Sequence, residues 1–123
     1  MKKFLAIYTG SVDSAKRAQW DRLDEQERQR RQAAGMQAWI AWGAAHQGAV
    51  VDGGGPLGKT KRVSAQGVAD IRNQMAAYVI VRAESQQAAA ALFENHPHFT
   101  LFPGDGVEIM ECLPTPGQSS DPA

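Results

Sequence analysis

Gly53-Gly54-Gly55-Pro56-Leu57-Gly58-Lys59-Thr60 satisfies the phosphate-loop pattern G-x-x-x-x-G-K-[ST] at every position, and reading it correctly decides between two fold classes. A phosphate loop joins a buried strand to a helix, so that backbone N–H groups and the helix N-terminus converge on phosphate oxygens. Upstream, Ala49-Val50-Val51 suit the strand. Downstream, Lys59-Thr60-Lys61-Arg62-Val63-Ser64-Ala65-Gln66-Gly67 place β-branched residues and a glycine where an amphipathic helix should begin. They read as a strand leaving a glycine turn. The strongest later apolar run, Ala77-Tyr78-Val79-Ile80-Val81, continues into Arg82 and not into an acidic residue that would hold Mg²⁺. Roughly 60 residues follow Thr60, too few for several parallel strands with their crossover helices. The match is therefore a coincidence of a tight turn, and no nucleotide is expected.

Working outward, Phe4-Leu5-Ala6-Ile7-Tyr8 form a first strand. Ser14 caps a short helix carrying Trp20 and Leu23, and Asp24 with Glu27 opens a longer one in capping-box fashion. From Asp24 to Arg31 this helix is almost wholly charged, a solvated face with Asp24–Arg28 and Glu27–Arg31 at i,i+4. Met36, Trp39, Ile40 and Gly43 then form an apolar stripe, which Trp42 widens. Burial on two sides is the favoured reading of that width, with an apolar pocket wall as the alternative. Gly48 stops the helix and Ala49-Val50-Val51 start the second strand.

The run Gly53 to Pro56 is expected to reverse the chain, Lys59 to Val63 to form an edge-like strand, and Ser64 to Asn73 to be irregular or a single turn. Ala77 to Ala83 make the most strand-like segment. Ser85 caps an alanine-rich helix from Gln86 to Asn95, which Pro97 terminates, and Val107 to Leu113 form the last strand. This order predicts an α+β chain with a ferredoxin-like split βαβ antiparallel sheet and helices on one face. Residues 1–113 make one domain, and the proline-rich tail 114–123 is expected to be disordered. Tyr78/Ile80 and Val79/Val81 point out of opposite faces of one strand. The face without helices needs a cover, and a second copy of the chain is the simplest, so a homodimer is expected.

At 123 residues and 43% hydrophobic composition the chain suits a single domain. Thirteen basic and thirteen acidic side chains cancel, which leaves no global field for nucleic acid or an anionic membrane. Met1-Lys2-Lys3 begins like a signal peptide, but the apolar run after it stops at Thr9-Gly10. No stretch approaches the roughly 20 apolar residues of a membrane span, and a cytoplasmic location is expected. Cys112 has no cysteine partner and reads as a buried strand thiol.

The three histidines are the acid–base candidates. His46 closes the apolar helix face and reads first as a half-buried helix end. His96 and His98 bracket Pro97, and their first reading is helix termination with imidazoles on free carbonyls. In the sharper reading they line a pocket with Phe99 and Phe102, and Asp105 orients one imidazole. His96, His98 and Asp105 are thus the catalytic candidates, and Trp39, Trp42 and His46 the pocket wall. Asp52 and Lys59 beside the glycine run could hold a carboxylate or phosphate. Glu108 and Glu111 face opposite sides of the last strand and form no pair. No metal or other cofactor is expected.

Gly48…Gly54-Gly55-Pro56-Leu57 after the long helix, Tyr78-Val79-Ile80-Val81 before an alanine-rich helix, His96-Pro97 and Val107-Glu108-Ile109 resemble the YCII-related proteins, including the DGPF branch, over roughly residues 3–113. The resemblance implies membership of the dimeric α/β barrel superfamily, a dimer made by packing sheets, and a pocket between sheet and helices. Superfamily relatives include isomerases, monooxygenases and dehydrochlorinase-like enzymes acting on small ring compounds without a metal. The YCII branch has a proposed dyad of a helix histidine and an aspartate before proline. Here His96-Pro97 occupies the second place and Gln37 to Trp39 the first, so the dyad does not carry over. Two functions stand side by side, a cofactor-free small-molecule enzyme and a non-catalytic metabolite-binding or regulatory dimer. A protein-interaction module using Asp24 to Arg31 ranks behind them.

Overall fold

The computed structural model describes residues 1–117; the rest of the expected tail, 118–123, lies outside the described residues. The elements run β1 (Lys2–Thr9), α1 (Ala15–Arg22), α2 (Glu25–Ala45), β2 (Val50–Pro56), β3 (Thr60–Ser64), β4 (Gly67–Ile71), β5 (Met75–Ala83), α3 (Gln86–Ala91), α4 (Pro97–Thr100) and β6 (Gly106–Glu111). Four strands form an antiparallel sheet in the order β2-β5-β1-β6, and β3 and β4 form a separate two-stranded hairpin. That order, with helical crossovers on one face, is the ferredoxin-like arrangement predicted from the sequence.

The expected helix starts are present. Ser14 accepts from the Arg17 N–H, Asp24 from the Glu27 N–H, and Ser85 from the Ala88 N–H. On the sheet, register sorts the side chains: Phe4, Ala6 and Tyr8 share a face with Val81, Val79 and Ala77, and meet Ala89 and Phe93 in one buried cluster. At about 25 cal/mol per Å², full burial of a side chain the size of Phe4 stabilises by roughly 2–3 kcal/mol. The opposite face carries Leu5, Ile7, Tyr78, Ile80, Glu108 and Met110, and among the described residues no helix joins these side chains to the buried cluster.

Several local expectations are corrected. The glycine run does not reverse the chain: β2 continues through it, pairing Gly55 with Tyr78 and Pro56 with Ala77 after two register shifts. Gly54, at φ +59°, absorbs the irregularity. Reversal falls to the β3–β4 hairpin, so Gly67–Ile71 is a strand and not irregular. Thr60 opens β3 and no helix, which removes the geometry a phosphate loop requires. Pro97 does not end the alanine-rich helix, which stops at Ala91; it begins α4. At that position its missing N–H costs nothing. The long helix stops at Ala45 with His46 as its cap, short of Gly48. Cys112 is exposed beyond the end of β6, because that strand stops at Glu111. Among the described residues no helix is long and apolar enough to cross a membrane.

Candidate functional site

Between α2 and the helix-bearing face of the sheet lies a cavity of about 630 Å³. Helix α2 supplies Met36, Trp39, Ile40, Trp42 and Gly43, and Gln47 follows its cap; β1 and β5 supply Tyr8, Ala77, Tyr78 and Val79. The glycine segment of β2 forms the rim through Val50, Gly53, Gly55 and Pro56, and Phe102 closes one end. No lining side chain carries a formal charge. The apolar stripe of α2 is therefore a pocket wall and not a surface buried on two sides, and Met36 and Ile40 remain 53% and 68% exposed.

Behind the wall residues Tyr8, Trp39 and Trp42 lies an aromatic and imidazole cluster, whose histidines do not themselves line the cavity. His96 is fully buried, with ring centroids 4.6 Å from Trp39, 4.9 Å from Trp42 and 5.0 Å from Tyr8. Its orientation comes from local chemistry. As N-cap of α4, His96 accepts the His98 backbone N–H at Nδ1 over 3.0 Å, which turns Nε2 toward the Tyr8 hydroxyl at 3.2 Å. Trp42 is fixed by donating its indole N–H to the Leu92 carbonyl at 2.8 Å, and its ring lies 5.1 Å from that of Phe93 at a tilt.

His98 is held at the end of β1. Its Nε2 donates to the Thr9 carbonyl at 2.7 Å, and Gly104 lies so close to the imidazole that no side chain fits between them. Lys16 ties the same segment to α1 by donating to the carbonyls of Phe99 at 2.6 Å and Gly104 at 3.1 Å. Burial, with the nearby His98 and His46, lowers the His96 pKa to about 4. Burial also lowers that of His98, against opposing contributions from the Thr9 carbonyl and Asp105. The Tyr8 phenol is pushed above its ordinary value by burial. Burial thus favours the uncharged forms of Tyr8, His96 and His98.

His96, His98, Trp39, Trp42 and His46 come together: Trp39 stands 6.0 Å from His98, and His46 stands 4.8 Å from Trp42 and bonds its carbonyl at 2.8 Å. Asp105 is exposed, donates its N–H to Thr9 and acts on His98 electrostatically. Asp52 and Lys59 are exposed and lie outside the cavity wall; the Asp52 carboxylate instead accepts the Gly54 N–H at 2.9 Å. Sequence reasoning missed Tyr8, which reads only as a strand residue. Its position four residues after Phe4, on the same side of β1, was the available signal. Among the described residues no group of three His, Cys, Asp or Glu side chains stands close enough to hold a metal.

No family model matches the chain, and no curated protein matches it. Among solved structures it is similar to the 5-chloro-2-hydroxyhydroquinone dehydrochlorinase of Burkholderia phenoliruptrix AC1100 in complex with 2,5-dihydroxybenzoquinone. The identity is 16% and the TM-score 0.48, over 88% of this chain and 90% of that one.

Proposed function

We propose that the chain binds a small, largely apolar, uncharged ring compound in the cavity between α2 and the sheet. The observation that carries this reading is the composition of the wall: tryptophan, tyrosine, phenylalanine, methionine and isoleucine side chains around about 630 Å³, with no formal charge. A drug-sized or smaller ligand fits such a volume, and an ionic one would be desolvated without a counter-charge. The favoured form is a metabolite-binding protein. As an enzyme, the same site would work without His96 as an acid–base group near neutral pH, because His96 is held neutral and both its ring nitrogens are engaged. Kinship with the YCII-related proteins is part of this proposal, supported by Gly55 and Pro56 standing at the cavity rim where the resemblance implies a pocket.

A thermal-shift panel of hydroxylated aromatics, lactones, small carboxylates and MgATP tests the reading. A ring compound at 100 times its dissociation constant should stabilise the fold by about 2.7 kcal/mol, and Trp39→Ala should reduce the shift. Stabilisation by carboxylates or MgATP alone would overturn it.

We also propose that a second copy covers the sheet face bearing Leu5, Ile7, Tyr78, Ile80 and Met110. Met110 is 44% exposed and Leu5, Tyr78 and Ile80 are half-buried in the single chain, with Glu108 standing opposite Ile7; apolar side chains left on an outer sheet face suit an interface. Light scattering at micromolar concentration is expected to give the mass of two chains, and the pair Leu5→Lys with Ile80→Lys the mass of one. A wild-type monomer removes the proposal.

A further inference from the structure

The proton positions in the Tyr8–His96 pair follow from its geometry. Nδ1 of His96 accepts the His98 backbone N–H at 3.0 Å, so that nitrogen carries no proton. A neutral imidazole holds one proton, which must then sit on Nε2, the atom 3.2 Å from the Tyr8 hydroxyl. If Tyr8 donated to Nε2 instead, both ring nitrogens would be acceptors and the ring would have to be an anion. Nε2–H therefore donates and the Tyr8 oxygen accepts. That leaves the phenolic hydrogen of Tyr8 over, and among the described residues Tyr8 makes no side-chain hydrogen bond except this one. Tyr8 is 2% exposed and lines the cavity. A buried donor left unsatisfied costs about as much as a lost hydrogen bond, so a partner for it in the bound state is strongly favoured.

Resting on the reading of the cavity as a ligand site, we infer that Tyr8 presents its O–H to that cavity as the recognition donor, and that the ligand is a flat ring compound bearing a carbonyl oxygen. The wall holds no cation to balance a carboxylate or phosphate, which narrows the acceptor to a neutral oxygen. Trp39, 4.8 Å from Tyr8 and 6.1 Å from Phe102 between ring centroids, offers aromatic surface for the ring. Burial disfavours the phenolate, which keeps Tyr8 a donor across the neutral range. His96 is a positioning residue: by occupying the oxygen's acceptor direction it turns the O–H toward the ligand.

The test is a matched pair of probes of equal shape, 2-acetylnaphthalene and 2-ethylnaphthalene, titrated calorimetrically into the full chain. Wild type should bind the ketone about fivefold more tightly, the worth of one neutral hydrogen bond. Tyr8→Phe should bind both probes equally, with the hydrocarbon affinity of wild type, which also shows that the variant is folded. His96→Leu should lose most of the preference, and His96→Gln, whose amide N–H still donates to Tyr8, should recover it. Equal affinity of wild type for both probes, or a preference that survives in Tyr8→Phe, overturns the role of Tyr8 while the cavity reading stands. Failure of wild type to bind either probe overturns both.

Discussion

Gly54→Ala is expected to destabilise the fold by about 3–4 kcal/mol, whereas Gly53→Ala, one residue away, should change stability by less than about 0.5 kcal/mol. Gly54 holds φ +59°, a conformation that costs an alanine about 1 kcal/mol or more. A Cβ built there also overlaps the main-chain carbonyl of Tyr78 on β5. Because that carbonyl belongs to a strand paired on both sides, it cannot swing aside as a side-chain end would. Relief requires β2 to lift from β5, which sacrifices hydrogen bonds worth about 1 kcal/mol each. A Cβ at Gly53 meets nothing within 4 Å. Urea unfolding of the two variants measures the contrast, and equal midpoints would show that β2 does not follow β5 through the glycine run. The same displacement would move Gly53, Gly55 and Pro56, so any ligand affinity should fall with stability in Gly54→Ala.

Acid is expected to remove about 3 kcal/mol through His96 alone. In the unfolded chain this histidine takes up a proton near pH 6.5; in the folded chain burial delays protonation until about pH 4. Between those values the unfolded state binds more protons than the folded one, so stability falls as pH falls, and the contribution of neutral His96 is complete above pH 6.5. His98, lowered by burial as well, acts in the same direction. Protonating His96 would also place a cation among Trp39, Trp42, Tyr8 and Phe93 and remove the Nδ1 acceptor that caps α4. The check is the free energy of unfolding from pH 7 to pH 4 for wild type and His96→Gln. Wild type should lose about 3 kcal/mol more than the variant, and parallel curves would mean that His96 titrates normally.

The order of elements was legible because it is written in local periodicity. The i,i+3,i+4 stripe of α2, the apolar runs of β1 and β5, and the caps at Ser14, Asp24 and Ser85 depend on residues within a turn or two of one another. The hairpin escaped notice because Gly67–Ile71 is short and exposed, and carries little apolar alternation. The glycine run misled for a related reason. Glycines signal freedom of the backbone, and that freedom serves a bulged strand as well as a turn.

His96 and His98 stood out because they bracket Pro97 ahead of Phe99 and Phe102, but their roles did not follow from that. His96 is separated from Tyr8 by 88 residues, and the hydrogen bond between them exists only because β1 lies against the start of α4. From the sequence alone came the α+β class, the split βαβ order, the two-faced β5 and the rejection of a phosphate loop, since each rests on short-range pattern and backbone chemistry. The tertiary structure decided that the α2 stripe is a cavity wall, that Tyr8 lines it, that Asp52 and Lys59 stand outside it, and that Nδ1 of His96 accepts the His98 N–H. Those are matters of burial and of distances between residues far apart in the chain, and no local pattern encodes them.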